Sequence, residues 1–304
     1  MEKIHSLSFY ENNLKYITLG KNNTNWVLVN HGEISLPQDR PNDKYLHENN
    51  SHKEIFKKKR LKKNIGHITV EPHHTYLNRK SLNTLKKLKY PDIIKINYKN
   101  TLPVLFEKNC YGLDYNVQYN EKTETTEIFF MGMSQEKIDA IYHSSLNLNI
   151  HPLVLNPTYQ YFAGFISNVP IFDVEREYLV YVESSAADTR LTLVLIHNHY
   201  PILKRSVEIN ERLDTEMNNY FYYLKYYLQI PTILLCFSII DQNTELIILN
   251  SSQQYYKTCS VKIYDIFTEL QWFKEVDKKI LFDYQDCFIA LGGLVSDESI
   301  NRKK

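Results

Sequence analysis

With 304 residues, 43% of them apolar and 23% charged, the chain can bury the core of two domains or of two halves of one fold, and global disorder is excluded. A formal net charge of +1 excludes a general nucleic-acid binder, whose affinity comes from neutralising many phosphates. Tyrosine reaches 24 while glycine stops at 8, so glycine-dependent phosphate loops are hard to build here.

Residues 1–10 lack the apolar run of a secretory signal. The first predicted strands cover 16–19, 26–29 and 33–36, separated by the turn residues Gly20-Lys21-Asn22-Asn23 and Asn30-His31-Gly32. A polar stretch follows, ending in the basic run Lys57, Lys58, Lys59, Arg60, Lys62 and Lys63, which reads as a loop and a short helix. Residues 65–70 form a strand stopped by Pro72, and Leu82, Leu85 and Leu88 give 81–88 a helical spacing. Segments 91–106 and 111–119 read as irregular or extended, and 128–133 as a buried strand. Ser134 caps a helix with Ile138, Ile141, Tyr142 and Leu146 on one face. A strand over 152–155 ends at Asn156-Pro157, and a helix covers 159–166.

The second half opens like the first. Strands are predicted over 178–182, 191–196 and 202–207, with a polar loop over 183–188 and a turn at His197-Asn198-His199. A long aromatic helix over 211–228 carries Leu213, Met217, Tyr220, Phe221 and Leu224 at spacings of three and four. Its remaining aromatics, Tyr222, Tyr223, Tyr226 and Tyr227, are either covered by other elements or form a partner surface. Strands follow over 233–237 and 246–249, then a helix within 263–272 and an apolar element over 287–294. The segments 14–36 and 178–207 thus predict matching three-stranded antiparallel meanders in two related halves facing a cleft. Strands alternating with helices make the class α/β.

The four cysteines, Cys110, Cys236, Cys259 and Cys287, form no CxxC pair and read as reduced, buried thiols. The most apolar stretch, 230–240, is about half of the ~20 residues that span a bilayer. His73-His74 are adjacent and His197-Asn198-His199 sit in a turn; neither completes a metal-ligand spacing. Ser184-Ser185 follow a strand without the glycines of a nucleophile elbow, so acyl transfer is not expected.

Three segments, taken in order, resemble the PilM/HofM (ComA-like) assembly proteins of the actin-like superfamily, whose fold is ribonuclease H-like. Gly112-Leu113-Asp114-Tyr115, followed by the 128–134 strand and the turn His151-Pro152-Leu153-Val154-Leu155-Asn156-Pro157, is similar to one family segment. Residues 178–207 resemble the second-domain meander, in which a strand meets the second phosphate loop. Asp286-Cys287-Phe288-Ile289-Ala290-Leu291-Gly292-Gly293-Leu294 resembles the family's closing run. The likeness covers most of 110–295 and, more weakly, 14–80. It implies a duplicated actin-like fold: a first half over 1–165 with an inserted subdomain at roughly 40–130, and a second half over 166–304.

The resemblance also locates departures. An actin-like ATPase needs carboxylates for the metal and glycine-like backbone at the phosphates. The first loop, around Gly20 and Asn22, has no carboxylate; the second, Glu183-Ser184-Ser185, has no glycine. The adenosine loop, expected after Leu249, reads Asn250-Ser251-Ser252-Gln253. The nucleotide site is therefore expected to be degenerate, with no cofactor, no metal and no catalysis. The alternatives are an active ATPase with divergent loops, which would take ATP and magnesium, and a GspL-like type II secretion component.

The resemblance implies a cytoplasmic scaffold at the inner membrane of a Gram-negative bacterium, serving type IV pilus assembly or DNA uptake. Its partner would be the N-terminal tail of a PilN/HofN-type single-pass inner-membrane protein. The expected groove involves the 65–70 strand, the Leu82/Leu85/Leu88 stripe and the 128–133 segment. The basic run at 57–63, with Lys86, Lys87 and Lys89, would face anionic lipid; the plainer reading of that run is a solvated face.

Overall fold

The computed structural model describes residues 3–10, 13–22, 25–35, 64–70, 75–83, 111–120, 125–147, 150–166, 177–184, 189–198, 200–238, 240–257 and 276–291. The predicted elements at 57–63, 84–88, 91–106 and 263–272 lie outside these residues. The chain divides into two compact units. One takes Met1–Gln38, Asn64–His73 and Pro152–Lys304; the other takes Asp39–Lys63 and His74–His151.

In the first unit, β1 (Lys3–Tyr10), β2 (Asn13–Asn22) and β3 (Asn25–Ser35) form an antiparallel meander. Strand β4 (Asn64–Val70) joins parallel to β1, and β8 (Ile150–Pro157) follows, giving the order β3-β2-β1-β4-β8. Strand β1 is absent from the sequence reading because its serines mimic an exposed face. Ser6 and Ser8 are buried instead, as are Leu7 and Phe9 on the other face.

The predicted strands over 26–29 and 33–36 are one strand, β3, and Asn30-His31-Gly32 is not a turn. Gly32 is there for space. It faces Tyr16 across the ladder, and a β-carbon on it would lie 2.6 Å from the Tyr16 hydroxyl and 2.8 Å from the ring. Tyr16 is itself buried and cannot swing away cheaply. Gly32→Val is expected to cost about 1–3 kcal/mol by overpacking. Urea denaturation measures this, and a neutral result would show that Tyr16 has somewhere to go.

The second meander follows the sequence reading closely. Strands β9 (Leu179–Ser184), β10 (Arg190–His197) and β11 (Tyr200–Glu208) are antiparallel, and β12 (Leu234–Phe237) runs parallel to β9. The order β11-β10-β9-β12 repeats β3-β2-β1-β4 with the same strand directions. In each meander a bulge between the second and third strands leaves one extra residue on the third, Val29 and Ile202 respectively. Asn198, at φ 51, takes the left-handed conformation at the β10–β11 turn, which asparagine tolerates.

One helical segment joins these sheets, and another packs on the first of them. Helix α2 (Thr158–Ile166) donates the Tyr161 hydroxyl to the Ile68 carbonyl of β4 at 3.2 Å. Its Phe162 ring stacks on Tyr181 of β9 with centroids 4.0 Å apart. Near the end of the described chain, α5 (Lys278–Asp283) leads into α6 (285–291), whose Cys287, Phe288, Ile289, Ala290 and Leu291 are fully buried. The Cys287 thiol donates to the Lys15 carbonyl of β2 at 3.7 Å, beside Ser6 and Ser8. The small serines of β1 make room for this helix. Lys15 in turn donates its Nζ to the Asp283 carbonyl at 2.8 Å.

Helix α3 (Leu213–Tyr222) continues into a π turn, Tyr223–Tyr227, and packs on α4 (Gln242–Tyr255). The wider turn ends at Gln229, φ 53, with the Ile230 amide donating to the Leu224 carbonyl at 3.1 Å. The predicted strand at 246–249 lies inside α4. An apolar run of four residues fits either state, and the deciding signal is upstream: Asp241 caps the helix by accepting from the Thr244 amide at 2.9 Å.

The second unit holds β5 (Tyr76–Asn83), β6 (Tyr111–Asn120) and β7 (Thr125–Ser134) in the antiparallel order β5-β7-β6. Leu82 therefore sits in a strand opposite Thr126, not on a helical stripe. Cross-strand pairing overrides the spacing of three leucines. Helix α1 (Gln135–Asn147) packs on β6 and β7; Ser134 caps it by accepting from the Lys137 amide at 3.3 Å. Tyr142, placed on its buried face from sequence, is exposed, while Ile141, Ser144 and Ser145 are buried.

Candidate functional site

The three predicted nucleotide loops fare differently in the structure. Gly20 and Asn22 end β2, paired with Val27 and Asn25 of β3. Glu183 and Ser184 end β9, and Ser185 lies outside the described residues. By sheet order the strand matching β9 is β1, not β2. Successive hairpins alternate ends, so Gly20 and Asn22 sit at the opposite end of their meander from the position that matches Glu183. Asn250 and Ser251 are in no loop at all: both are helical, in α4. The Ser251 hydroxyl is buried and donates to the Asp214 carboxylate at 3.2 Å, tying α4 to α3.

Glu183 is the chemically unusual member of the set. Its side chain is 6% exposed, and neither carboxylate oxygen has a hydrogen-bond partner among the described residues. Burial and the Asp286 carboxylate push its carboxyl up to about 8, against a weaker opposing pull from the Tyr181 hydroxyl and Lys204. That hydroxyl lies close enough to affect the titration but outside hydrogen-bonding geometry. The Tyr181 phenol is itself held far above its ordinary range, chiefly by burial. Burial lowers the Lys204 ammonium to about 8, with Glu183 opposing the shift. Phe162 and Lys204 do not stand out in the sequence, and Asp286 enters it only as the first residue of the closing run. A lysine in the middle of the predicted strand 202–207 was the available signal.

Among the described residues no group of three or more His, Cys, Asp or Glu could hold a metal ion. His197 stacks on Tyr178 with centroids 4.0 Å apart, and its Nδ1 lies 3.3 Å from the Glu177 carbonyl. His73, His74 and His199 fall outside the described residues, as do Cys110 and Cys259; Cys236 and Cys287 are buried thiols, not joined in a disulfide. No described helix is long and apolar enough to cross a membrane.

The aromatic segment divides cleanly. Tyr220, Phe221 and Leu224 face the core, while Tyr222, Tyr223, Tyr226 and Tyr227 are exposed, Tyr227 by 70%. The exposed rings contact one another, Tyr223 and Tyr227 being stacked at 5.6 Å, and Tyr222 and Tyr226 both meet Tyr255 of α4. Of the elements expected to line a groove, the 65–70 and 128–133 segments place Ile68, Ile128 and Phe130 in buried positions.

No known protein family matches the sequence, and no curated protein does. Solved structures match in shape. A chain of the PilM-PilN type IV pilus biogenesis complex superimposes with a TM-score of 0.64, at 12% identity, over 96% of this chain and 98% of that one. A Bacteroides thetaiotaomicron protein with an actin-like ATPase fold and unknown function gives 0.50, at 9% identity, over 88% and 95%. The fold is actin-like. Within this actin-like fold, the repeated order of β3-β2-β1-β4 and β11-β10-β9-β12 supplies the two meanders read from the sequence, the first of them shifted to begin at Lys3.

Proposed function

We propose that this protein is a non-catalytic scaffold of a type IV pilus or DNA-uptake assembly platform. It would hold the N-terminal tail of a PilN-type single-pass protein at the cytoplasmic face of the inner membrane of a Gram-negative bacterium. The observation that carries this reading is the likeness to a chain of the PilM-PilN complex along nearly the whole of both chains. The two sheets of matching order are, in this reading, the related halves of a duplicated fold around a cleft. Those halves span 1–165 and 166–304, with the insertion at roughly 40–130. The basic residues Lys57 to Lys63 would add contact with anionic lipid, at about 1 kcal/mol each.

The non-catalytic part of the reading is supported by chemistry at the end of β9. A metal-holding carboxylate must be ionised and reachable, whereas Glu183 is buried with its carboxyl pushed up to about 8. The adenosine-loop position is a helix with its serine already engaged. Millimolar Mg-ATP is therefore expected to leave the melting temperature unchanged, since a ligand at 100 times its Kd would add about 2.7 kcal/mol of stability. Micromolar binding by calorimetry would replace this reading with that of an active ATPase.

A further inference from the structure

The rings on the outer side of the α3–π segment do no core packing, since Tyr220, Phe221 and Leu224 fill the inner side. Tyr226 is 60% exposed, so its ring keeps a π face in water. Tyr222 and Tyr226 lie 4.8 Å apart, tilted by 46°. The Tyr255 ring of α4 stands across both, at 79° and 85°, with centroids 6.1 and 6.4 Å away. The segment also holds a π turn, a rare feature concentrated at functional sites.

The position of these rings gives the cluster its electrostatic sign. Tyr226 belongs to the last turn of its segment and Tyr255 closes α4, so their contact brings two helix C-termini together. The carbonyl ends of both helix dipoles favour positive charge there. The chain itself uses this once. Lys225 sets its Nζ 5.0 Å from the centre of the buried Tyr256 ring and donates to the Pro231 carbonyl at 3.1 Å. A ring face and a backbone carbonyl thus hold one ammonium on the inner side. On the outer side, no described lysine or arginine lies over Tyr222, Tyr226 or Tyr255.

We propose that Tyr222, Tyr226 and Tyr255 form a receptor for an arginine side chain presented by a partner protein. A guanidinium is planar and weakly hydrated, and it stacks on aromatic faces while its N–H fork donates to phenol oxygens at the rim. A neutral apolar segment would gain contact area here but nothing from the two helix ends. The receptor lies on α3 and α4, away from the segments expected to hold the membrane protein's tail, and does not depend on that reading.

The test is an NMR titration of the full chain, labelled with carbon-13 at tyrosine, with the blocked tripeptide glycine–arginine–glycine. The control tripeptide carries citrulline, which has the shape of arginine without its charge. The arginine peptide is expected to shift the three rings and to bind about tenfold more tightly than the control. Tyr222→Leu with Tyr226→Leu keeps apolar bulk and helix propensity but removes two π faces, and should abolish that preference. Tyr222→Phe with Tyr226→Phe keeps the faces and should retain it within about threefold. Equal binding of the two peptides overturns the proposal without any variant, so the result stands even if the leucine pair misfolds. An arginine preference that survives in the leucine pair overturns it too. So does a dimer in sedimentation, or binding to phosphatidylcholine vesicles, that the leucine pair loses, because a second copy or a lipid headgroup then owns the surface.

Discussion

Phe162→Ala is expected to lower stability by about 3–5 kcal/mol in urea denaturation at neutral pH, the cost of emptying a fully enclosed aromatic site. Phe162 has no exposed surface, and its ring stacks on Tyr181, which is also fully buried. Helix α2 reaches β9 through this ring and β4 through Tyr161, so the cavity would open at the joint between two sheets. Neighbouring Tyr181 is held in the middle of a paired strand and cannot collapse into the space. Phe162→Leu, which keeps most of the volume, should recover more than half of the loss. A cost below about 1 kcal/mol for the alanine variant would contradict the bridging role of α2.

The second large effect concerns acid. His67 of β4 is buried, its Nδ1 has no hydrogen-bond partner among the described residues, and its ring lies edge-on to Tyr161 at 6.3 Å. Burial lowers its pKa from 6.5 to about 4, so the folded protein keeps it neutral. Unfolding then takes up a proton between those values, and the stability due to His67 is lost as pH falls from about 6.5 to about 4. The upper bound on that loss is roughly 3 kcal/mol. Glu183 slopes the other way: its contribution is complete below about 4.5 and is lost as pH rises to about 8.

Between pH 4.5 and 6.5 the two groups oppose, and from 6.5 to about 8 Glu183 acts without His67. His67→Phe should remove the acid-side term, so that stability relative to wild type improves steadily from pH 6.5 down to 4. Equilibrium denaturation at half-unit pH steps measures the difference. A His67→Phe variant whose difference from wild type does not change with pH would show that the folded ring takes up its proton as readily as the unfolded one, against the burial argument.

What could be read from the sequence follows the physics of each element. The 178–207 meander was legible because short apolar strands alternate with turn chemistry, and Asn198 does adopt the left-handed turn conformation. The first meander was misplaced by one strand for two reasons. Ser6 and Ser8 are buried, and the neighbouring β2 meets α6 through the Cys287–Lys15 contact, 272 residues apart in sequence, which no local pattern reveals. Gly32 serves the Tyr16 ring, yet a glycine after Asn30-His31 reads as a turn. Asn250 and Ser251 read as a loop because Leu246 to Leu249 fit a strand as well as a helix, and only the Asp241 cap upstream separates the two states. At the candidate site Glu183 is legible as an acidic residue at the end of a strand, but its burial is not, because it depends on a strand paired on both sides by partners distant in sequence.

The measurement that tests the scaffold reading most directly is a titration of the purified chain with the N-terminal tail peptide of a PilN-type protein from the same genome. A scaffold with apolar anchors should bind with a Kd of about 10 μM or tighter, and moderate salt should leave that affinity within a few-fold. A scrambled tail should not bind. No saturable binding by any such tail, or equal binding of the scrambled sequence, would contradict the proposed role.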